Sequence, residues 1–101
     1  MAKAKRKPSN VTPITLGGEE MFLKYNMYAM SKLQEKGVNL AEFGGKEVTF
    51  SEITKVLWAG LLTYDPSITE FEVAICIDIG DLQYCSKKIA EAIQRDSEEK
   101  K

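Results

Sequence analysis

The same four-residue pattern, Thr-x-x-Glu, stands before two apolar runs in the second half of the chain, at Thr49–Glu52 and at Thr69–Glu72. In this pattern, a capping box, the threonine side chain and the glutamate side chain satisfy backbone N–H groups at the start of a helix. Asp65-Pro66 lies between the two boxes, and the residue before a proline avoids the α region. The sequence therefore predicts one helix over about 50–64 and a second that starts near residue 70.

The second box precedes a segment whose periodicity is that of a strand. Phe71–Gly80 (FEVAICIDIG) alternates apolar residues with others and is rich in isoleucine, which is typical of a β-strand. As a helix, the segment is apolar on nearly every side and has to be covered by its own domain, by another copy or by a client. The alternation leaves both structures open, and the capping box favours a helix over about 70–79.

The remaining elements have local markers of their own. Pro13–Tyr25 carries two short apolar runs around Gly17-Gly18, which predicts a β-hairpin. Asn26 is a good N-cap for a helix that ends before Gly37. Nearer the C-terminus, the apolar residues from Leu82 to Ile93 recur at helical spacing. The predicted fold class is α+β, mainly α, with a short N-terminal β-hairpin followed by about four helices near 26–36, 50–64, 70–79 and 82–95. One small globular domain is expected over 13–96, after a disordered basic tail over 1–12 and before a tail over 97–101 that frays from about Asp96.

The helix predicted at 50–64 has two apolar stripes. Phe50, Leu57 and Leu61 share one face, whereas Trp58 and Leu62 lie four residues apart on another. Such a helix is either sandwiched between other elements or exposes its second stripe as a contact surface. Both alternatives are consistent with the sequence.

The composition removes several classes of chemistry. The chain has no histidine, so the commonest general base and the commonest zinc ligand are both missing. Its two cysteines fall within apolar patterns and are expected to be buried thiols, and no glycine-rich phosphate-binding motif occurs. No catalytic site, metal site or cofactor is predicted. No apolar run is long enough to span a membrane, and no secretory signal is recognised at the N-terminus.

The order of the elements resembles the small tail assembly chaperones of long-tailed, siphovirus-like phages, prophages and gene transfer agents. The resemblance covers about Ile14–Ile93 and rests on three motifs: LWAGL at Leu57–Leu61, a DPSLTxEEV-like link at Asp65–Val73, and an xAIxxAI-like helix at Ile89–Ile93. The 71–80 segment departs from the family pattern, because it is more β-branched than the Leu-rich helix usual there. The family pattern also supports a helix in this segment.

This resemblance implies a non-catalytic protein of the bacterial cytoplasm that is absent from the mature virion. Members of the family bind the tape-measure protein, keep its apolar stripes soluble and recruit tail-tube subunits, in some cases as oligomers around the client. No membrane or nucleic-acid partner is expected. From the residue patterns, the candidate contacts with a partner or with another copy are Trp58, Leu62, Phe71, Ile75 and Ile79.

Two alternative functions remain open at the sequence level. One is another phage structural or assembly factor, such as a head–tail connector. The other is a small nucleic-acid-binding regulator that uses the basic N-terminal tail, in which Lys3, Lys5, Arg6 and Lys7 lie close together. This tail contains no aromatic residue that could stack on bases.

Overall fold

A computed structural model describes residues 11–39 and 49–97 of the chain. The elements follow in the order β1 (Thr12–Leu16), β2 (Glu19–Leu23), α1 (Met27–Glu35), α2 (Phe50–Leu61), α3 (Glu70–Ile75), a 3₁₀ turn (Ile79–Asp81) and α4 (Leu82–Ser97). The α+β, mainly α class is confirmed, with the hairpin first and, within the described residues, four α-helices after it. The predicted basic tail lies outside the described residues as far as residue 10, and Thr12 already belongs to β1.

The N-terminal hairpin is a two-stranded antiparallel sheet in which Thr12 faces Leu23 and Leu16 faces Glu19. The turn places Gly17 and Gly18 at φ values of +58° and +83°. A two-residue turn of this kind needs positive φ at both positions, and glycine adopts it without a steric penalty. Alternate residues of β1 are buried, so one face of the hairpin packs on the helices.

Both predicted capping boxes are present. Thr49 Oγ1 accepts a hydrogen bond from the Glu52 N–H at 3.1 Å, and Glu52 Oε1 accepts one from the Thr49 N–H at 3.1 Å. The same pair of bonds joins Thr69 and Glu72 at 3.1 and 2.9 Å. The segment after the second box is helical only as far as Ile75, and the chain then loops into the 3₁₀ turn. The helix expected over 70–79 therefore forms, but it is shorter than expected.

Helix α2 is the central element, since it contacts α1, α3, α4 and β2. This position resolves the two alternatives for its second stripe. Leu57 and Leu61 are fully buried, Leu62 is only 2% exposed, and Trp58 is half-buried. The helix is sandwiched, because neighbours cover both of its apolar stripes except at Phe50, its first residue.

The C-terminal end of α4 is fastened to the junction between β2 and α1. The C-terminal tail was expected to fray from about Asp96, but the Asp96 side chain is only 4% exposed. Its carboxylate accepts hydrogen bonds from the Tyr25 N–H at 2.7 Å and from Lys24 Nζ at 3.1 Å. The adjacent residues Lys24 and Tyr25 thus hold the last turn of α4 in place by donating to Asp96.

Tyr25 links the same junction to α2. Its ring is buried, and its hydroxyl donates a hydrogen bond to the Val56 carbonyl oxygen at 2.8 Å. Burial, and secondarily the negative charge of Asp96, raises the pKa of the Tyr25 hydroxyl far above its usual range. The folded protein therefore keeps this tyrosine neutral under conditions in which the unfolded chain ionises it.

Replacing Tyr25 with phenylalanine is expected to cost about 1 kcal/mol at neutral pH, the usual contribution of one buried hydrogen bond. The difference should narrow above pH ~10, where the tyrosine of the unfolded chain loses its proton and the folded one does not. Because the pKa of Tyr25 is higher in the folded protein, the wild-type free energy of unfolding falls as the pH rises above the pKa of tyrosine in the unfolded chain. The phenylalanine variant has no group that ionises there, so its free energy of unfolding does not fall for this reason. Urea unfolding at neutral and alkaline pH measures both effects. Tyr28→Phe, at a ring that is 47% exposed, is the control, and a pH-independent difference for Tyr25→Phe would contradict the assignment.

Candidate functional site

The five contact residues proposed from the sequence separate into two groups. Trp58 and Leu62 lie inward on α2, and the 2% exposure of Leu62 makes its side chain unavailable to a partner. Phe71, Ile75 and Ile79 lie outward, with exposures of 70%, 64% and 79%. The structure therefore places three of the five on the surface.

Trp58 lies where α2 meets the end of α1 and the link before α3. Its indole N–H donates to the Ile68 carbonyl oxygen at 3.0 Å, which fixes the link before α3. Lys36 Nζ, just after α1, lies 5.3 Å from the centroid of the indole ring and 2.8 Å from Glu70 Oε2. The carboxylate oxygen is enclosed, and this ammonium is its partner. The position of Trp58 is explained by packing, cation–π attraction and an ion pair within the domain.

Helix α3 presents its apolar residues away from the core. Val73 is the only residue of α3 that is buried. Phe71 and Ile75 are one helical turn apart and lie on the opposite side from Val73, since successive residues turn by about 100°. The strand-like composition of the segment is thus accommodated by a short helix with one buried contact.

A groove separates α3 and the 3₁₀ turn from the first turns of α2. It has a volume of about 190 Å³, with Phe50 and Ile53 on one wall and Ala74, Ile77 and Ile79 on the other. Phe50 is 66% exposed, although its spacing had placed it on the core face of α2. As the first residue of the helix, it extends past the end of the core, so periodicity alone could not identify it as a surface residue.

We call Phe50, Phe71, Ile75 and Ile79 the apolar surface. Single exposed apolar residues are ordinary on proteins, but four large ones on packed neighbouring elements, of which Phe50 and Ile79 line the groove, are the composition of a contact site. Aromatic residues at such sites contribute disproportionately to binding. Helix α1 also exposes apolar side chains, of which Met27 is 81% exposed, and these provide a comparison on another element.

The chain around the apolar surface is acidic. No lysine or arginine occurs between Val56 and Ser86, whereas five acidic residues do: Asp65, Glu70, Glu72, Asp78 and Asp81. Of these, Glu70 is paired with Lys36, and Asp78 lines the groove itself. The long interval without lysine or arginine is the feature of the sequence that could have indicated this site.

Among the described residues, the potential metal ligands do not form a cluster and the two cysteines are not paired. Within 11–39 and 49–97, no group of three or more His, Cys, Asp or Glu side chains could hold a metal ion. Cys76 and Cys85 are free thiols, the first half-buried and the second buried. Burial, and then the charge of Asp81, raises the pKa of the Cys85 thiol, so it stays protonated at neutral pH. None of the described helices is long and apolar enough to cross a bilayer.

Comparisons of the chain with protein-family models, with curated proteins and with solved structures find no match. The resemblance to tail assembly chaperones therefore rests on the order and spacing of motifs in the sequence.

Proposed function

We propose that this chain is a non-catalytic tail assembly chaperone, which binds a tape-measure protein and recruits tail-tube subunits during phage tail morphogenesis in the bacterial cytoplasm. The observation that supports the proposal is the apolar surface, with side chains between 64% and 79% exposed. A protein that covers the apolar stripes of a helical client needs such a surface of its own. The motif order from the hairpin to α4 supplies the family context.

The expected mechanism is reversible burial of apolar area. Full burial of one large apolar side chain contributes about 1.5–3 kcal/mol, and association costs about 4–15 kcal/mol in lost freedom. Four such side chains contribute about 6–12 kcal/mol, which is of the same size as this cost, so the net affinity is modest. A client held in this way can be displaced by tail-tube subunits as they polymerise, which is what a chaperone absent from the finished particle requires.

The proposal makes an expectation about the gene neighbourhood. A major tail protein should be encoded upstream and a very long, largely helical reading frame downstream. If no long, largely helical reading frame lies downstream, the proposed client is missing and the proposed function is contradicted.

Replacing Phe71 and Ile75 together with serine should weaken co-purification with the product of that long reading frame about tenfold or more, as expected when two interface anchors are lost. The variant should keep its stability within about 0.5–1 kcal/mol, because both side chains are largely exposed. Pull-down from a co-expressing host measures binding, and urea unfolding measures the fold.

The matched control for this experiment is Met27→Ser, which removes an apolar side chain that is 81% exposed on α1. It should leave co-purification unchanged. Equal loss in both variants would indicate a general effect of surface hydrophobicity, and unchanged co-purification in the folded Phe71/Ile75 variant would count against the apolar surface as the client site.

A further inference from the structure

The groove and its acidic surroundings together specify the chemistry of a partner. We propose that the groove between α2 and α3 binds a cationic amphipathic helix, with apolar side chains seated among Phe50, Ala74 and Ile79 and with lysine or arginine directed at Asp78 and its neighbour Asp81. This rests on the proposed function in taking the apolar surface as the client site. It adds that the client segment is helical and positively charged at its flanks.

The charge argument is one of complementarity. Asp78 lines the groove, Asp81 lies next to it with Oδ2 3.1 Å from the Asp78 nitrogen, and no cation occurs on the chain from residue 56 to residue 86. Lys36, brought in from the end of α1, is already engaged by Glu70 at 2.8 Å. A partner with basic flanks gains attraction here, whereas one with acidic flanks is repelled, and the difference decreases with added salt.

The walls of the groove favour a helix over an extended strand. The groove is bounded by helices α2 and α3 and by the 3₁₀ turn, and no residue of the described strands lines it, so a partner cannot bind there by extending a sheet. Strand addition needs an open sheet edge, and the outer edge of β1 is covered. Thr15 N–H donates to the Tyr84 hydroxyl at 2.9 Å, Arg95 donates to the Val11 carbonyl oxygen at 2.7 Å, and Pro13 has no N–H.

A second copy is a poor occupant of the same groove. In a two-fold symmetric dimer, each patch meets itself, so Asp78 and Asp81 of one copy would approach the same acidic residues of the other. Like charges opposed in a desolvated contact are unfavourable. The acidic surroundings therefore favour a different chain with the opposite charge.

The test uses two fluorescein-labelled synthetic peptides, each about 18 residues long so that a helix can form. Both carry leucine at i, i+3, i+4 and i+7 positions, one with lysine and the other with glutamate at the flanking positions. Fluorescence anisotropy with the full chain at about 50 mM salt is expected to show at least tenfold tighter binding of the lysine peptide. This preference should fall to about threefold or less at roughly 500 mM salt, where the Debye length is less than half as long.

Two variants locate the site. Phe50→Ser with Ile79→Ser should abolish binding of the lysine peptide at both salt concentrations. Asp78→Asn with Asp81→Asn should reduce the preference to about threefold while leaving the 3₁₀ turn capped, because an asparagine amide oxygen can also accept from the Asp78 N–H. Glu91→Gln is the control, since Glu91 lies on α4 about 14 Å along the helix from Leu82 at the groove.

Several outcomes would overturn the proposal. These are equal binding of the two peptides, no binding of either, or lysine-peptide binding that survives Phe50→Ser with Ile79→Ser in a folded variant. A dimer in sedimentation experiments that the same variant dissociates would make a second copy the occupant. If the lysine peptide shows no preference while co-purification of the client still depends on Phe71 and Ile75, the charge inference fails and the proposed function stands. If the lysine peptide is preferred while co-purification of the client does not depend on Phe71 and Ile75, the result supports a cationic partner other than the tape-measure protein.

Discussion

Replacing Gly60 with alanine is expected to destabilise the protein by about 3 kcal/mol, although alanine is the better helix former by about 1 kcal/mol. A Cβ at position 60 would lie 2.6 Å from Tyr25 Cζ, 2.7 Å from the Tyr25 hydroxyl oxygen and 2.9 Å from Leu23 Cδ2. The tyrosine cannot turn aside freely, because its ring is buried and its hydroxyl donates to the Val56 carbonyl oxygen at 2.8 Å. Moving the ring loses part of its burial and its hydrogen bond, which together outweigh the gain in helix propensity.

Urea unfolding followed by circular dichroism measures the change in the free energy of unfolding, and a thermal scan should show a midpoint lower by about 12–24 °C. Gly80→Ala is the matched control, since a Cβ there meets nothing within 4 Å. It should change stability by no more than about 0.5 kcal/mol. In a Tyr25→Leu background the cost of Gly60→Ala should fall, because the aromatic atoms that the methyl group meets are gone. A Gly60→Ala variant as stable as wild type would show that the ring can move at no cost.

Replacing Asp96 with alanine is expected to cost about 2–3 kcal/mol. Its carboxylate is 4% exposed and accepts from the Tyr25 N–H at 2.7 Å and from Lys24 Nζ at 3.1 Å. Without the acceptor, the Tyr25 N–H is left in a buried position, and an unsatisfied buried donor costs about 1–3 kcal/mol. Lys24 is less affected, because its side chain is 20% exposed and can turn toward water.

Asp96→Asn separates the hydrogen bond from the charge. Asparagine retains one acceptor oxygen for the Tyr25 N–H, so its cost should be about half that of alanine. Hydrogen exchange of the Tyr25 amide should accelerate strongly in the alanine variant and weakly in the asparagine variant. Glu91→Ala is the control, since its pair with Lys88 at 3.5 Å is exposed and contributes under about 1 kcal/mol. If Asp96→Ala were no worse than Glu91→Ala, the last turn of α4 would not be anchored as described.

The sequence identified three of the four residues of the apolar surface. Phe71, Ile75 and Ile79 were found because a helix that begins at Thr69 with so many apolar residues cannot bury them all. Leu62 was placed on a possible contact stripe and is buried, and Trp58 is engaged with Ile68 and Lys36. Both depended on which elements pack around α2, and periodicity records only the direction of a side chain about its own helix. Phe50 was missed for the complementary reason, since its direction suited the core but its place at the end of the helix did not.

The sequence by itself determined where elements begin and turn. The capping boxes at Thr49 and Thr69 and the glycine pair in the hairpin act through bonds and dihedral angles within a few residues, so no distant part of the chain can alter their effect greatly. Only the tertiary structure decided that α2 lies at the centre, that Asp96 anchors the last helix to the first hairpin, and that α2 and α3 leave between them an apolar groove with Asp78 in its lining. These features join residues up to 72 positions apart, and burial and ion pairing at that separation depend on the packing of the whole domain.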